Sequence, residues 1–574
     1  MSARPYRNAL AAGVLAALAA CSAPPEPPAA AAPAVAPPAR PEYVGTTEPF
    51  AANAVYFVVT DRFVNGDAAN DHRDQGGVHR SFDIPIPGPD GQTDNIGYLG
   101  GDFRGIVDNA DYIREMGFGA VWVTPIVDNP DEAFTGGDAV RWGSTLTDRG
   151  KSGYHGYWGV NFYRLDEHLP SADLDFAGFT RAMRERGLAV VLDIVANHGS
   201  PGFTMPVDQP KYGEIHGADA TLLADTQNLA PDKLDPEHVP LHRWYNRKTD
   251  LAQLADLDEN SPEVLDYLSG AYLQWIDQGA AAFRIDTVSL MPGSFWQRFS
   301  GRIRARHPGF FMFGEAFNYD AAAIGPYTQP GGGEISLLDF PLKQALAGAF
   351  GRERKGFETL APALFLDGGP YRNPYELMTF YDNHDMARLD ADDNGFIDAH
   401  HWLFTARGIP VIYYGSESGF MRDRAEHAGN RNYFGPEGIA AARAHPIRAA
   451  LARIAAVRAA SPALQRGVQV NLELARDRAA FYRVYQQGDA HQVALVLLNK
   501  GDAATTFEVA SMLEPGRWTP ALGGEPVDVA DGGTLRAGVP AHGAQVFLLD
   551  GPVTRADLSA ALAPPAGARR TNGG

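Results

Sequence analysis

Ala281-Ala282-Phe283-Arg284-Ile285-Asp286 is a short apolar run that breaks into charge at its end. Three other runs finish the same way. Asp193-Ile194-Val195-Ala196-Asn197-His198 continues an apolar stretch that begins at Ala189. Phe313-Gly314-Glu315 closes the stretch from Phe310, and Phe380-Tyr381-Asp382-Asn383-His384-Asp385 closes the one from Met378. Continuous apolar runs suit parallel strands that are buried on both faces. Charge at the carboxyl end of such a strand is costly unless it is paired or used. In parallel barrels that end is also where loops assemble active sites.

Outward from these four, further strands are predicted at 55–60, 120–125, 336–339 and 409–414, which makes eight. Amphipathic helical patterns lie between them at 106–116, 176–186, 263–277, 296–306 and 397–407. Eight βα units in series predict an α/β fold, a closed (β/α)8 TIM barrel. About sixty residues rich in Pro, Asp and His separate the third strand from the next helix, a length that marks a functional insertion or subdomain. Helix 447–459 ends the barrel, and short alternating strands at 479–485, 492–498, 505–509 and 544–549 predict a C-terminal antiparallel β-sandwich. The expected divisions are barrel at 51–198, insertion at 199–258, barrel again at 259–462, β domain at 463–552 and a frayed tail at 553–574.

Residues 1–50 read as processing signal and spacer. Arg4 and Arg7 precede an apolar run from Ala9 to Ala20, too short for a comfortable membrane span. The run ends in Leu18-Ala19-Ala20-Cys21, which resembles a bacterial lipobox with cleavage before Cys21 and lipidation of its thiol. Cys21 is the only cysteine, so no disulfide can form. Ala- and Pro-rich sequence then reads as an extended spacer. The implied product is an exported lipoprotein, held in the periplasm or outer membrane of a Gram-negative bacterium by its lipid alone. The 574 residues carry 49 basic and 69 acidic side chains, a net charge of −20. This balance argues against nucleic acid as the main partner and permits a neutral polymer.

The four charged strand ends match, in order and strand position, the main motifs of the α-amylase family of glycoside hydrolases. So do Thr60-Asp61-Arg62-Phe63, Tyr154-His155-Gly156-Tyr157-Trp158, Leu254-Ala255-Asp256-Leu257-Asp258 and Gly408-Ile409-Pro410-Val411-Ile412-Tyr413-Tyr414-Gly415. A lone Arg-x-Asp on a strand is usually a structural ion pair; the ordered set is what is specific. The resemblance implies Asp286 as nucleophile, Glu315 as general acid/base and Asp385 as a third carboxylate gripping sugar hydroxyls. It also implies substrate contacts from Tyr154, His155, Trp158, His198, Arg284, His384, Phe317 and Arg431. The substrate class is α-glucan, cleaved with retention at α-1,4 bonds by a monomer. Retention needs one carboxyl ionised and one protonated. Arg284, on the same strand face as Asp286, can hold the first state, and the apolar run before Glu315 favours the second.

Asn65-Gly66-Asp67-Ala68-Ala69-Asn70-Asp71 packs oxygen donors that suit Ca²⁺, although an Asx-rich turn has the same composition. It resembles the calcium loop of cyclodextrin glycosyltransferases, completed by Gly100 and Asp102. By the same resemblance a second calcium site would use Asn197, Asp256 and the carbonyl of Leu290. The chain departs from those enzymes at Ser289 and Leu290, where Lys-His is usual, and at Ala252, where cyclising enzymes carry an aromatic. Gly429-Asn430-Arg431 is a shortened loop, and no starch-binding module follows the β domain. These departures favour hydrolysis of maltodextrins. Glucanotransfer (cyclodextrin-forming or disproportionating), a cyclomaltodextrinase or maltogenic activity, and an inactive glucan-binding role stay open as alternatives.

Overall fold

The computed structural model describes residues 41–563, so the lipobox around Cys21 and the end of the tail lie outside the described residues. Eight strands follow one another along the chain: β1 (Val55–Val58), β2 (Ala120–Val123), β3 (Ala189–Ile194), β4 (Ala282–Ile285), β5 (Phe311–Gly314), β6 (Ser336–Leu337), β7 (Met378–Thr379) and β8 (Ile409–Tyr413). Each pairs in parallel with its sequence neighbour from β1 to β6, while β8 pairs with both β1 and β7. A bridge between Leu338 and Met378 joins the remaining two edges. The result is the (β/α)8 barrel.

Register positions the polar ends. Arg284 on β4 lies opposite Asp193 on β3 and Phe313 on β5, and Ile285 lies opposite Gly314. One residue further on, Asp286 and Glu315 therefore emerge side by side. The barrel interior below them is aromatic: Phe57 stacks on Trp122 with ring centroids 3.8 Å apart, and Trp122 meets Phe313 edge-on at 5.6 Å. Helices form the outer ring. Pro262–Asp277 illustrates why: Ser261 caps Val264 N–H, proline occupies the first turn, and Val264, Leu268, Tyr272 and Trp275 face inward at helical spacing.

The long connection after β3 is bracketed by an antiparallel pair, His198–Pro201 with Leu254–Asp256, and contains a second pair, Glu214–His216 with Leu222–Asp225. Beyond the barrel a six-stranded antiparallel sheet packs with the pair Thr505–Val509 and Leu535–Val539 around Trp518, Phe547, Leu495 and Phe507.

Four local differences from the sequence reading have physical causes. The helix expected at 106–116 is two helices, Phe103–Asp108 and Ala110–Glu115, because Asn109 leaves helical geometry (φ −111°, ψ 15°). Helix Phe340–Phe350, missing from the sequence reading, carries few polar residues to betray an amphipathic period. Residues 42–50 are not spacer: Tyr43 pairs with Gln486, and Phe50 stacks on Phe311 at 4.7 Å. The tail expected to fray after 552 instead forms helix Ala556–Leu562, which buries Leu558 and Leu562 against the β domain.

Candidate active site

One guanidinium organises the site. Arg284, fully buried, donates from Nη1 to Asp286 Oδ1 at 2.8 Å and to Asp193 Oδ1 at 2.9 Å. Its Nη2 lies 2.8 Å from Glu315 Oε2, although the N–H is not aligned for a hydrogen bond. Main-chain bonds hold the two carboxylates together: Glu315 N–H donates to Ile285 O at 2.8 Å, and Val288 N–H donates to Glu315 O at 2.9 Å. The turn between them needs Thr287 at φ 45°, ψ 38°, the left-handed region, where a β-branched residue is strained.

The surroundings separate the protonation states. Burial pushes the Glu315 carboxyl well above the usual range, and the nearby Asp385 and Asp286 charges push it further, with Arg284 opposing. Among the described residues, Glu315 Oε1 is buried without a hydrogen-bonding partner. Burial also lifts Asp385 to about 6, opposed by Arg431 and Arg284. Burial lowers His155, His198 and His384, which therefore stand neutral at pH 7.

Around this centre, His384 Nε2 lies 2.8 Å from Tyr157 Oη and 3.2 Å from Asp385 Oδ2, and His198 Nε2 lies 4.0 Å from Asp286 Oδ2. Arg431 Nη2 donates to Asp385 Oδ1 at 2.7 Å, and Nε donates to His384 O at 2.9 Å. Tyr154 is buried with the Arg62 guanidinium 3.7 Å over its ring. Phe317, two residues past Glu315, is 54% exposed and packs on Phe340 at 4.9 Å. The geometry thus gathers an arginine-held carboxylate, a raised carboxyl, a third carboxylate and neutral imidazoles at the carboxyl end of one barrel. That is the equipment for displacement at an acetal carbon.

The model of the alpha-amylase catalytic domain matches residues 57–435. The chain belongs to the alpha-amylase family. It is 28% identical over 436 residues to a beta/alpha-amylase of Paenibacillus polymyxa, covering 72% of this chain and 31% of that protein. It is 27% identical over 532 residues to a cyclomaltodextrin glucanotransferase of Klebsiella oxytoca, covering 84% and 75%. The crystal structure of an Anoxybacillus alpha-amylase superposes with a TM-score of 0.66 at 26% identity, covering 88% of this chain and 99% of that one. The chain thus spans under a third of the Paenibacillus protein and most of the Klebsiella one. The named relatives in this glycoside hydrolase family include both amylases and glucanotransferases.

Two expected substrate contacts are tied closely to protein partners. Trp158 is buried, packs with Phe134 and Tyr212 and meets the edge of His155 at 4.8 Å. Arg431 is consumed by protein partners, bonding Asp385 on one side and Glu426 Oε1 at 3.1 Å on the other. Sequence reasoning gave no role to Asp193 or Tyr157. Asp193 takes hydrogen bonds from Arg284, Tyr157 Oη at 2.8 Å and Trp122 Nε1 at 3.0 Å, and burial lifts its carboxyl to about 7. Both residues lay inside motifs; their links to distant strands leave no local signal.

The predicted calcium loop converges. Asp102 accepts from Gly66 N–H, Asp67 N–H and Asn70 Nδ2, and Asn65 Nδ2 donates to Asp71 Oδ1 at 2.7 Å. Gly100 has φ +86°, and a Cβ there would sit 2.3 Å from Asn65 Nδ2. Glycine therefore lets its backbone enter the cradle. Among the described residues, Asn70 Oδ1 is buried without a hydrogen-bonding partner. Asp67 instead turns Oδ1 to cap Ala69 N–H at 3.0 Å. At the second expected site, Asn197 Nδ2 donates to Asp256 Oδ1 at 3.0 Å. Burial, with Asp250 alongside, lifts Asp256 to about 7. A third acidic group, Asp128, Asp131 and Glu167, places its oxygens within 4.8 Å of one another. Lys211 Nζ already bridges two of them, at 3.2 and 3.1 Å.

Proposed function

We propose that the protein is a retaining hydrolase of α-1,4-linked glucans. The observation that carries this reading is the shared Arg284, which bonds Asp286 Oδ1 and lies against Glu315, whose carboxyl burial raises well above its usual range. Asp286 attacks the anomeric carbon; the bond to the leaving sugar's O4 breaks, and Glu315 gives that oxygen its proton. Water then attacks the glycosyl–Asp286 ester, returns a proton to Glu315 and frees the carboxylate. Asp385, when charged, accepts hydrogen bonds from the sugar's hydroxyls with both oxygens, and the neutral histidines donate to others.

Hydrolysis is favoured over transfer by Ala252 in place of a ring around which glucan could curl, and by Ser289 and Leu290 in place of a cationic acceptor contact. The test is maltoheptaose digestion with Asp286→Asn alongside. Reducing sugar should rise with every bond cut, and the variant should lose roughly three or more orders of magnitude in kcat while staying folded. Longer or cyclic products would overturn the hydrolytic reading, and a fully active variant would remove Asp286 from its role.

The donor set of the first loop fits Ca²⁺, with Asn65, Asn70, Asp71, Asp102 and the Gly100 carbonyl as its holders; a hard cation supplies charge that fixes the loop. Asn197 and Asp256 form a second candidate. We also propose a lipid anchor at Cys21, in the periplasm or outer membrane. Labelled palmitate should appear on the wild type and be absent from Cys21→Ala; labelling of both would refute it.

A further inference from the structure

The two flanks of the site differ in exposure. Beyond Asp385, charges alternate in sign and are each close to an opposite partner. Arg431 Nη1 lies 3.1 Å from Glu426 Oε1, Glu426 lies 3.9 Å from Lys151 Nζ, and Lys151 lies 2.8 Å from Asp148 Oδ1. The Arg431 and Lys151 side chains are 6% and 7% exposed.

Three segments meet there. Gly143 N–H donates to His427 O at 2.6 Å, joining loop 134–153 to loop 419–433. Asn432 Nδ2 donates to Thr93 O at 3.0 Å, and Arg424 bonds Gln92, tying in the hairpin formed by Pro85–Pro87 and Thr93–Asn95. Buried ions that lose their partners are heavily penalised, so this structure does not swing aside easily. Beyond Glu315 the surface is open. Phe317 and Tyr319 are the two exposed aromatics among the large exposed apolar residues described, at 54% and 38%.

We infer that the Asp385 flank is a closed wall built on Arg431, Glu426 and Lys151, and that the enzyme takes an α-glucan by its non-reducing end. This rests on the roles proposed for Glu315 and Asp385: Glu315 faces the leaving chain, so the wall lies beyond the sugar that Asp385 grips. Only a short glucosyl segment fits between wall and scission point, and the remaining chain leaves across Phe317 and Tyr319.

The experiment compares p-nitrophenyl maltoheptaoside with the same compound carrying an ethylidene block at its non-reducing end, all products being separated by chromatography. The wild type should cut the free substrate to one short first product and the blocked one at least tenfold more slowly. Equal rates with internal cuts overturn the wall. No scission of either substrate overturns the hydrolase reading, and this inference with it. The double variant Lys151→Ala/Glu426→Ala removes one charge of each sign and should raise the blocked-to-free ratio severalfold. A folded double variant with an unchanged ratio removes these side chains from the assignment. The wild-type ratio decides the matter even where the variant does not fold.

Discussion

On the Asp385 side of the site, position is set by charge: Arg431 is bonded to a carboxylate, to a backbone carbonyl and to Glu426, and almost none of it meets solvent. On the Glu315 side, Phe317 and Tyr319 present rings held by van der Waals contact with Phe340 and each other. The first arrangement is directional, and its members cannot be lost singly without stranding a buried charge. The second is tolerant, because a ring accepts any sugar's apolar face and binds by area. A retaining enzyme has use for both. The sugar being cleaved must stay in register through two displacements, whereas the leaving chain must depart so that water can take its place.

The largest effect expected from breaking this contrast is at Arg431. Arg431→Gln leaves Asp385 and Glu426 without their shared partner, which should destabilise the fold by roughly 3–5 kcal/mol, read from thermal or urea unfolding. The pH profile separates positioning from bulk damage. Burial holds Asp385 up at about 6, and Arg431 is the strongest opposing influence. Its removal must raise the carboxyl further, and protonated Asp385 accepts the sugar's hydroxyl bonds more weakly, without charge and with one oxygen turned donor. The acid limb of kcat/KM should therefore move to higher pH, by about one unit, equivalent to about 1.4 kcal/mol. An unmoved limb in a folded variant would show that Arg431 does not set Asp385's charge.

Chelation should produce a smaller effect with a bias between the flanks. The proposed calcium loop touches the Asp385 flank directly, since Asn65 N–H donates to Tyr433 Oη at 2.8 Å, two residues from Arg431. No such bond is seen from that loop to Phe317 or Tyr319 among the described residues. Withdrawing Ca²⁺ from a site held at about a hundredfold over its Kd costs roughly 2.7 kcal/mol. EDTA should lower Tm by several degrees, reversibly with Ca²⁺, and Asp102→Ala should abolish the response. A Tm indifferent to both would count against a metal in the loop.

The barrel and its carboxylates were legible because each rests on a local pattern: an apolar run, then a charged end. Buried parallel strands write that pattern directly into sequence. The ties that complete the site were not legible. Arg431 meets Asp385 across 46 positions of chain, and Lys151, Glu426 and Asp148 read singly as ordinary loop charges. Tyr157 lies within a motif, yet its hydroxyl joins Asp193 to His384, two groups on separate strands' ends. The packing of Trp158 against Phe134 and Tyr212 likewise leaves no local signal. Residues 42–50 and 556–562 also owe their order to partners far along the chain, Gln486 and Phe311 for the first and the β domain for the second.

The smallest effects belong to the aromatic flank, and their form matters more than their size. Phe317→Ala should cost about 1–1.5 kcal/mol of binding, a five- to tenfold rise in KM for maltoheptaose with kcat nearly unchanged. Tyr319, less exposed and further from Glu315, should cost less. A ring that binds ground state and transition state alike lowers KM without accelerating the chemistry, so both variants should spare kcat, with Arg431→Gln affecting both constants. If Phe317→Ala instead lowered kcat as strongly as Arg431→Gln, the ring would be contributing in the transition state. The two flanks would then differ in material but not in task.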